Sequence, residues 1–508
     1  MLDGTIKRAA PLSLLAEAVT GAALHGGRDT TPITGVEYDS RQVGQGSLFV
    51  AVVGEKFDGH AFLPQVIAAG AGAVVVQADR AASLGDLPAP MLVVPDCRKA
   101  LAPLACRFWD NPTGKLYLAG VTGTNGKTTT TLMIDSIARA AGDITGTVGT
   151  LGATVAGKSL PGDRTTPEAP DLQWLFAEML QSGAKSAAME VASHALVLGR
   201  TEGCLFDVGV FTNLTQDHLD FHGTMEAYRD AKGLLFTQYA DAAKAAGKEF
   251  TAVLNVEDAA GAFYHQRCAE SGISTVTYAP SGEAMVTPQN ISASVDSITF
   301  TASTPVGPVR VALPFGGGFN VANALAAVGY GVARGLSPEI IAQGLANCPP
   351  VLGRFQPVRA GQDFAVLVDY AHTPDGLENV LRSARPLTTG RLIVVFGCGG
   401  NRDRTKRPKM GRLAKDLADI AIVTSDNPRH EEPESIIDEI LTGMNEAGRA
   451  TVLRESDRRA AIALAVRQAR PGDTVVIAGK GHENYQILGD QTIHFDDVEV
   501  ASEEIGKR

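Results

Sequence analysis

Leu116-Tyr117-Leu118-Ala119-Gly120-Val121-Thr122-Gly123-Thr124-Asn125-Gly126-Lys127-Thr128 is an apolar run that ends in a glycine-rich turn, and helical periodicity follows from Thr129 to Ala141. A buried strand is thus joined to a helix N-terminus. Glycines let backbone N–H groups converge on an anion at the positive end of the helix dipole. Lys127 can reach terminal phosphates and the Thr128 hydroxyl can ligate magnesium, so ATP is the expected ligand. The full Walker spacing would place glycine where this chain has Val121, which makes the turn a shortened variant.

Working outward, the 508 residues exceed one ordinary core and suggest about three domains. A net charge of −11 argues against a general nucleic-acid or anionic-membrane binder. The apolar stretch Ala61 to Val76 is interrupted by Pro64, Gln65 and glycines, so no signal peptide or membrane span is expected. Six cysteines without CxxC spacing suit reduced thiols in a cytoplasmic enzyme, not disulfides or structural zinc.

Short β-rich runs up to Pro112 (Ser47 to Val53, Ala73 to Gln77, Met91 to Pro95) read as a small α/β domain, 1–112, closed by the Asn111-Pro112 step. In 113–348, strands at Ala187 to Val191, Val208 to Thr212 and Thr251 to Asn255 alternate with helical patterns at Thr166 to Ser182 and Met225 to Tyr239. That pattern predicts a parallel sheet covered by helices. Ala240 to Ala246 reads as an exposed helix end, and Ile298 to Leu313 as an antiparallel appendage followed by a helix after Asn320. A third α/β unit, 349–508, has strands at Ala365 to Tyr370, Arg391 to Phe396, Ile420 to Thr424 and Thr474 to Ala478. The loops after these strands should hold a second substrate.

Glu190 closes a buried strand, where a carboxylate near a triphosphate suits magnesium, and Thr212 to Gly223 carries His218 and His222 with Asp217 and Asp220. Taken with Lys232 in Tyr228-Arg229-Asp230-Ala231-Lys232-Gly233, with Gly353-Arg354-Phe355, Asp369-Tyr370-Ala371-His372 and Gly479-Lys480-Gly481-His482-Glu483, these motifs resemble the Mur ligases, ATP-dependent amide-forming enzymes of peptidoglycan precursor synthesis. The resemblance spans nearly the whole chain. It implies a central phosphate-loop ATPase domain with a parallel sheet, flanked by an N-terminal α/β nucleotide-sugar domain and a C-terminal Rossmann-like domain.

The resemblance implies that Lys127, Glu190, His218 and Lys232 are catalytic, and that Gly123, Thr124, Asn125, Gly126, Lys127, Thr128 and Thr129 bind ATP, completed by Asn320, Asn323, Arg354, Asp369 and His372. It implies magnesium ligated by Thr128, Glu190, His218 and a Lys232 carbamylated by CO2 (N6-carboxylysine). An ammonium beside the metal would be repelled, whereas a carbamate is an anionic oxygen ligand. Tyr38 and Ser40, with the loop Gly54 to Gly59, resemble uridine diphosphate contacts; Thr165, Thr166 and Arg200 resemble contacts to the muramoyl dipeptide. Ala192 stands where relatives often carry serine.

Asp426-Asn427-Pro428-Arg429 resembles the family's meso-diaminopimelate motif, with Arg402, Gly479 and Glu483 at positions where relatives contact the same amino acid. A guanidinium offers paired donors to the distal carboxylate of diaminopimelate and repels the distal ammonium of L-lysine. The expectation is a cytoplasmic, monomeric ligase joining UDP-N-acetylmuramoyl-L-alanyl-D-glutamate to meso-diaminopimelate through an acyl phosphate. The alternatives are an L-lysine-adding relative, a folylpolyglutamate synthetase-like ligase and a non-catalytic nucleotide-binding scaffold.

Overall fold

The computed structural model describes residues 8–26, 30–54, 57–161, 164–444 and 447–508. The apolar run forms strand Tyr117–Thr122, and the glycine-rich turn opens helix Lys127–Ala140, whose Met133, Ile134 and Ile137 are buried. This strand lies inside an eight-stranded sheet. Its spatial order is Lys158–Leu160, Gly152–Val155, Thr145–Gly149, Ser186–Glu190, Tyr117–Thr122, Val208–Phe211, Thr251–Asn255 and Ser274–Tyr278. From Thr145–Gly149 onward the pairing is parallel. Such strands are buried on both faces, as the wholly buried Val208–Phe211 shows.

The sequence pattern missed the antiparallel edge formed by Thr145–Gly149, Gly152–Val155 and Lys158–Leu160, so the sheet is mixed at that side. These strands are short and rich in glycine and threonine, which blunts the apolar signal. The helical pattern from Met225 also breaks where the sequence predicts continuity. Helix Met225–Gly233 passes through a 3₁₀ turn, Leu234–Phe236, before helix Gln238–Ala245. The Thr237 hydroxyl donates to the Gly233 carbonyl four residues back, a bond that competes with regular helix. Ala240 and Ala243 are buried against the core while Ala242, Ala245 and Ala246 are exposed, so the alanine-rich segment is the exposed end of a helix that packs through one face.

Five strands ordered Ala23–His25, Met91–Val94, Ala73–Gln77, Ser47–Val50 and Gly35–Glu37 make the first sheet, parallel except for Ala23–His25. Helix Cys97–Phe108 beside it packs on helix Ala169–Gln181 of the central layer. The third sheet is ordered Gln356–Pro357, Ala365–Asp369, Thr474–Ala478, Leu392–Phe396, Ile420–Val423 and Thr451–Arg454, parallel but for the first strand. Ile298–Ser303 and Val309–Leu313 pair antiparallel, as the alternation predicts.

The chain divides into two compact units: residues up to Thr287 with Ala326–Gly344, and Pro288–Leu325 with Leu345–Arg508. In the first, chain order reverses around Tyr117–Thr122; in the second, Thr474–Ala478 inserts between Ala365–Asp369 and Leu392–Phe396. Each reversal opens a crevice at the carboxyl ends of the strands, where open α/β sheets bind ligands. Among the described residues, no helix is long and apolar enough to cross a membrane. All six cysteines are buried free thiols.

Candidate active site

The glycine-rich turn sits at the first crevice, and its shape depends on glycine. Gly123 has φ +149° and a Cβ there would lie 1.9 Å from the Thr212 hydroxyl; Gly126, the helix N-cap, has φ +85°. The turn is fastened to the end of the neighbouring strand. Thr124 N–H donates to the Asn213 carbonyl at 2.8 Å, Asn125 N–H to the Asn213 side chain at 2.9 Å, and the Thr212 hydroxyl to the Asn125 carbonyl at 2.6 Å. Lys127 Nζ donates to the carbonyls of Gly123 (3.0 Å) and Thr124 (2.8 Å), so the amine is already held over the cradle. Thr128 and Thr129 are buried in the first helical turn.

Parallel pairing sets Glu190 beside Val121, two residues before the turn begins. Its buried carboxylate accepts from Thr150 N–H at 2.8 Å and from the Thr150 hydroxyl at 3.2 Å. Thr166 is tied to the same strand end: its hydroxyl donates to the Glu190 carbonyl at 2.8 Å and accepts from Ala192 N–H at 3.1 Å. Thr165 and Thr150 share a hydroxyl contact of 3.1 Å. Two residues expected at the dipeptide are therefore tied, one through the Glu190 backbone and one through Thr150, to the strand end that carries the carboxylate expected at the metal.

Lys232 is 1% exposed in the last turn of helix Met225–Gly233, a helix started by Thr224, whose hydroxyl accepts from Ala227 N–H. Its amine donates to the Gly123 carbonyl at 2.8 Å and lies 4.4 Å from the Tyr228 ring centre. Burial, with the Lys127 charge nearby, pushes this amine well below the ordinary lysine range. His218 is half-exposed, in left-handed backbone (φ +53°), with its ring 4.7 Å from that of His194 and 6.0 Å from Tyr228. Desolvation lowers the His218 pKa, which favours the neutral, ligand-competent imidazole.

Among the described residues, no three His, Cys, Asp or Glu side chains gather as a metal site. The set here has a different chemistry: a hydroxyl, a carboxylate, an imidazole and an amine that becomes an oxygen donor only once carbamylated. Hard oxygen donors placed beside a phosphate cradle fit magnesium, which keeps water and shares phosphates and so needs few protein ligands. Thr150 escapes a reading of the sequence because its bonds to Glu190 cross between elements, whereas Tyr228 and Lys232, four residues apart, share one face of helix Met225–Gly233.

Near the first sheet, Tyr38 donates its hydroxyl to Asp171 at 2.7 Å, while Ser40 lies in the turn held by the Asp39–Arg41 pair. Arg200 pairs with the buried Glu168 at 2.9 Å, which Arg98 also reaches at 2.9 Å and Arg164 at 3.2 Å. Three guanidiniums on one carboxylate leave surplus positive charge beside Thr165 and Thr166. In the loop Gly54 to Gly59, Glu55 and Lys56 lie outside the described residues; Phe57 is exposed and Asp58 caps the next turn.

In the second unit, Asn320 Nδ2 donates to the Gly316 carbonyl at 2.7 Å and Asn323 Nδ2 to the Asn320 side chain at 2.8 Å, pinning the start of helix Asn320–Ala333. Asp369 accepts from the N–H groups of Phe355 (2.7 Å) and Ala371 (2.9 Å). Arg354 lies over the Tyr370 ring at 4.9 Å, and His372 donates from Nδ1 to the Tyr370 carbonyl at 2.8 Å. The residues around Asp369 thus form one cluster, with Asn320 and Asn323 on a separate helix start.

At the carboxyl edge of the third sheet the structure brings the Asp426–Arg429, Gly397–Arg402 and Gly479–Glu483 loops together. Gly400 N–H donates to the Asn427 carbonyl at 2.9 Å, and Asn427 Nδ2 to Glu483 at 2.8 Å. A Cβ on Gly479 would stand 2.5 Å from the Asp426 carboxylate. Arg429 donates to the carbonyls of Gly400 (3.1 Å) and Asn427 (3.3 Å); Arg402 is exposed on the same rim. Burial raises the Glu483 pKa and lowers that of the buried Lys480, which lies 3.6 Å from it.

A parallel-sheet unit carrying a phosphate cradle, followed by a second parallel-sheet unit with its own loop cluster, defines a nucleotide-using α/β enzyme. Family comparison makes the class specific. Residues 32–109 match the Mur ligase family catalytic domain, 121–331 the Mur ligase middle domain and 353–481 the Mur ligase glutamate ligase domain. The UDP-N-acetylmuramoyl-L-alanyl-D-glutamate--2,6-diaminopimelate ligase of Geobacillus thermodenitrificans is 46% identical over 98% of this chain and 99% of its own. The Gloeobacter violaceus ligase of the same description is 48% identical over 94% of each. A solved structure of a ligase so described superposes with a TM-score of 0.70 at 32% identity, covering 98% and 99%. The chain belongs to the Mur ligase family.

Proposed function

We propose that the enzyme joins the terminal carboxylate of UDP-N-acetylmuramoyl-L-alanyl-D-glutamate to an amine of meso-diaminopimelate, cleaving ATP to ADP and phosphate. The observation that carries this reading is the convergence of Arg429, Asp426, Asn427, Gly479 and Glu483 at one sheet edge, in a chain nearly half identical to diaminopimelate ligases over its full length. A guanidinium for the distal carboxylate and a carboxylate for an ammonium match the two ends of a zwitterionic diamino acid.

A carboxylate resists nucleophilic attack, so it first takes the γ-phosphoryl group and becomes an acyl phosphate; the amine then displaces phosphate. Lys127 and the backbone N–H groups of Gly126 to Thr129 hold the triphosphate, in a turn that Gly123, Thr124 and Asn125 shape, and stabilising charge on the transferred phosphoryl is the main catalytic demand. Thr128, Glu190, His218 and carbamylated Lys232 are assigned to magnesium, which when bound neutralises phosphate charge. The burial of Lys232 supports carbamylation, because only a neutral amine reacts with CO2. Thr165, Thr166 and Arg200 orient the glutamyl carboxylate, and Tyr38 and Ser40 the nucleotide. Asn320, Asn323, Arg354, Asp369 and His372 are also assigned to ATP.

Domain limits of 1–112, 113–348 and 349–508 are supported by the three matched stretches. We assign the enzyme to the cytoplasm, where its six unpaired thiols stay reduced, and to a monomer, since the chain carries every group the reaction invokes. An L-lysine-adding enzyme is disfavoured by Arg429, a folylpolyglutamate synthetase by the first domain and Asp426 to Arg429, and an inert scaffold by the intact Lys127, Glu190, His218 and Lys232. The deciding assay is phosphate release with ATP, the nucleotide dipeptide and either meso-diaminopimelate or L-lysine. Release that needs both the dipeptide and diaminopimelate supports the proposal; preference for lysine, or ATP binding without release, refutes it.

A further inference from the structure

Residues after Glu483 form a hairpin, Tyr485–Leu488 paired with Gln491–His494 around Gly489 (φ +58°), that belongs to none of the three large sheets. A two-stranded hairpin alone is marginal in water, so its place depends on what it docks against. Its first strand docks on the Asp426–Arg429 loop. The buried Gln486 donates its side-chain amide to the Asp426 carbonyl at 2.7 Å, and Ile487 N–H donates to Asn427 Oδ1 at 3.0 Å. Arg429 N–H donates to the Ile487 carbonyl at 3.1 Å, and Gly489 N–H to the Arg429 carbonyl at 2.7 Å. Lys480 Nζ bonds the Tyr485 carbonyl and so ties the hairpin to the Gly479–Glu483 turn as well.

Arg429 itself has φ +54°. A residue with a Cβ avoids this left-handed region unless its surroundings over-determine it. Here the two backbone bonds to the hairpin do so, and they fix the direction in which the guanidinium leaves the chain. Extended backbone at this position would carry the guanidinium away from the Gly400 and Asn427 carbonyls that now hold it.

Resting on the function proposed above, we propose that the hairpin Tyr485–His494 is the element that sets amino-acid specificity, with Gln486 as its positioning residue. It holds the Asp426–Arg429 loop and the left-handed Arg429 so that the guanidinium meets the distal carboxylate of diaminopimelate. Gln486 touches no substrate; it acts through Asp426 and Arg429.

The test uses the full-length enzyme with saturating ATP and nucleotide dipeptide, varying meso-diaminopimelate or L-lysine. Gln486→Met keeps the side-chain length and removes the donor. The expected result is a fall of about tenfold in kcat/KM for diaminopimelate, carried by KM, with the lysine value changed far less and the ATP KM unmoved. Gly489→Ala, which strains the turn beside the Arg429 bond, should narrow the same ratio. A wild-type enzyme that prefers lysine overturns the proposed function and this inference together. A wild type that prefers diaminopimelate, with variants that keep its ratio or lose both substrates equally, overturns the inference alone.

Discussion

Replacing Asp497 by alanine would strand a guanidinium in the core of the C-terminal sheet. Arg458 and Asp497 are both fully buried, joined by two bonds of 2.8 and 2.7 Å, and Arg458 also donates to the carbonyls of Ser425 (3.3 Å) and Ala478 (3.1 Å). Those carbonyls lie at the end of strand Thr474–Ala478 and two residues past strand Ile420–Val423, where the Gly479 and Asp426 loops emerge. Removing one partner of a buried pair costs roughly 3–5 kcal/mol, because the remaining charge keeps its desolvation penalty. For a unit of this size that is a fall in Tm of about 6–20 °C. Both tryptophans, Trp109 and Trp174, lie in the first unit, so their fluorescence would miss the change. Calorimetry of the second unit's transition, with hydrogen exchange along Thr474–Ala478, would see it. Arg458→Met/Asp497→Leu should recover most of the loss, since apolar replacement removes the stranded charge. A loss below about 1 kcal/mol for the single variant, or a double variant no more stable than the single one, would refute the reasoning.

Lys232→Met should abolish ligation by at least about a thousandfold while leaving the fold intact, because Gly123 keeps its bond from Lys127; phosphate release alongside a thermal melt checks both. Arg429→Lys should lower discrimination for diaminopimelate over L-lysine by about tenfold or more without altering ATP affinity, read from competition between the two amino acids. Burial, with Asp171 and Asp39 nearby, raises the Glu37 pKa from the usual carboxylate range to about 7. A raised acid contributes stability that is full below pH 4.5 and is lost as pH rises through about 7. Glu37→Gln should therefore stabilise the protein at pH 8 by about 1–2 kcal/mol after solvent screening and change little at pH 4, as paired melts would show.

Much of the site was legible because its chemistry is local in sequence. Gly123 to Thr128 must be a cradle wherever it sits, since its glycines, lysine and helix start are consecutive, and the buried parallel strands announce themselves as unbroken apolar runs. Strand ends at Glu190 and Val423 placed the next functional loops for the same reason. The antiparallel edge at Thr145–Leu160 escaped notice because short strands rich in threonine and glycine carry little apolar signal. Sequence alone therefore determined the residue types of the reaction and the strands that deliver them. Tertiary structure alone decided which partners hold them: Thr150 on Glu190, the Gly123 carbonyl on Lys232, Arg98 and Arg200 on Glu168, and a hairpin that fixes Arg429 in left-handed backbone. Those contacts join residues distant in the chain, and their energies depend on burial and bond geometry that exist only once the sheets have formed.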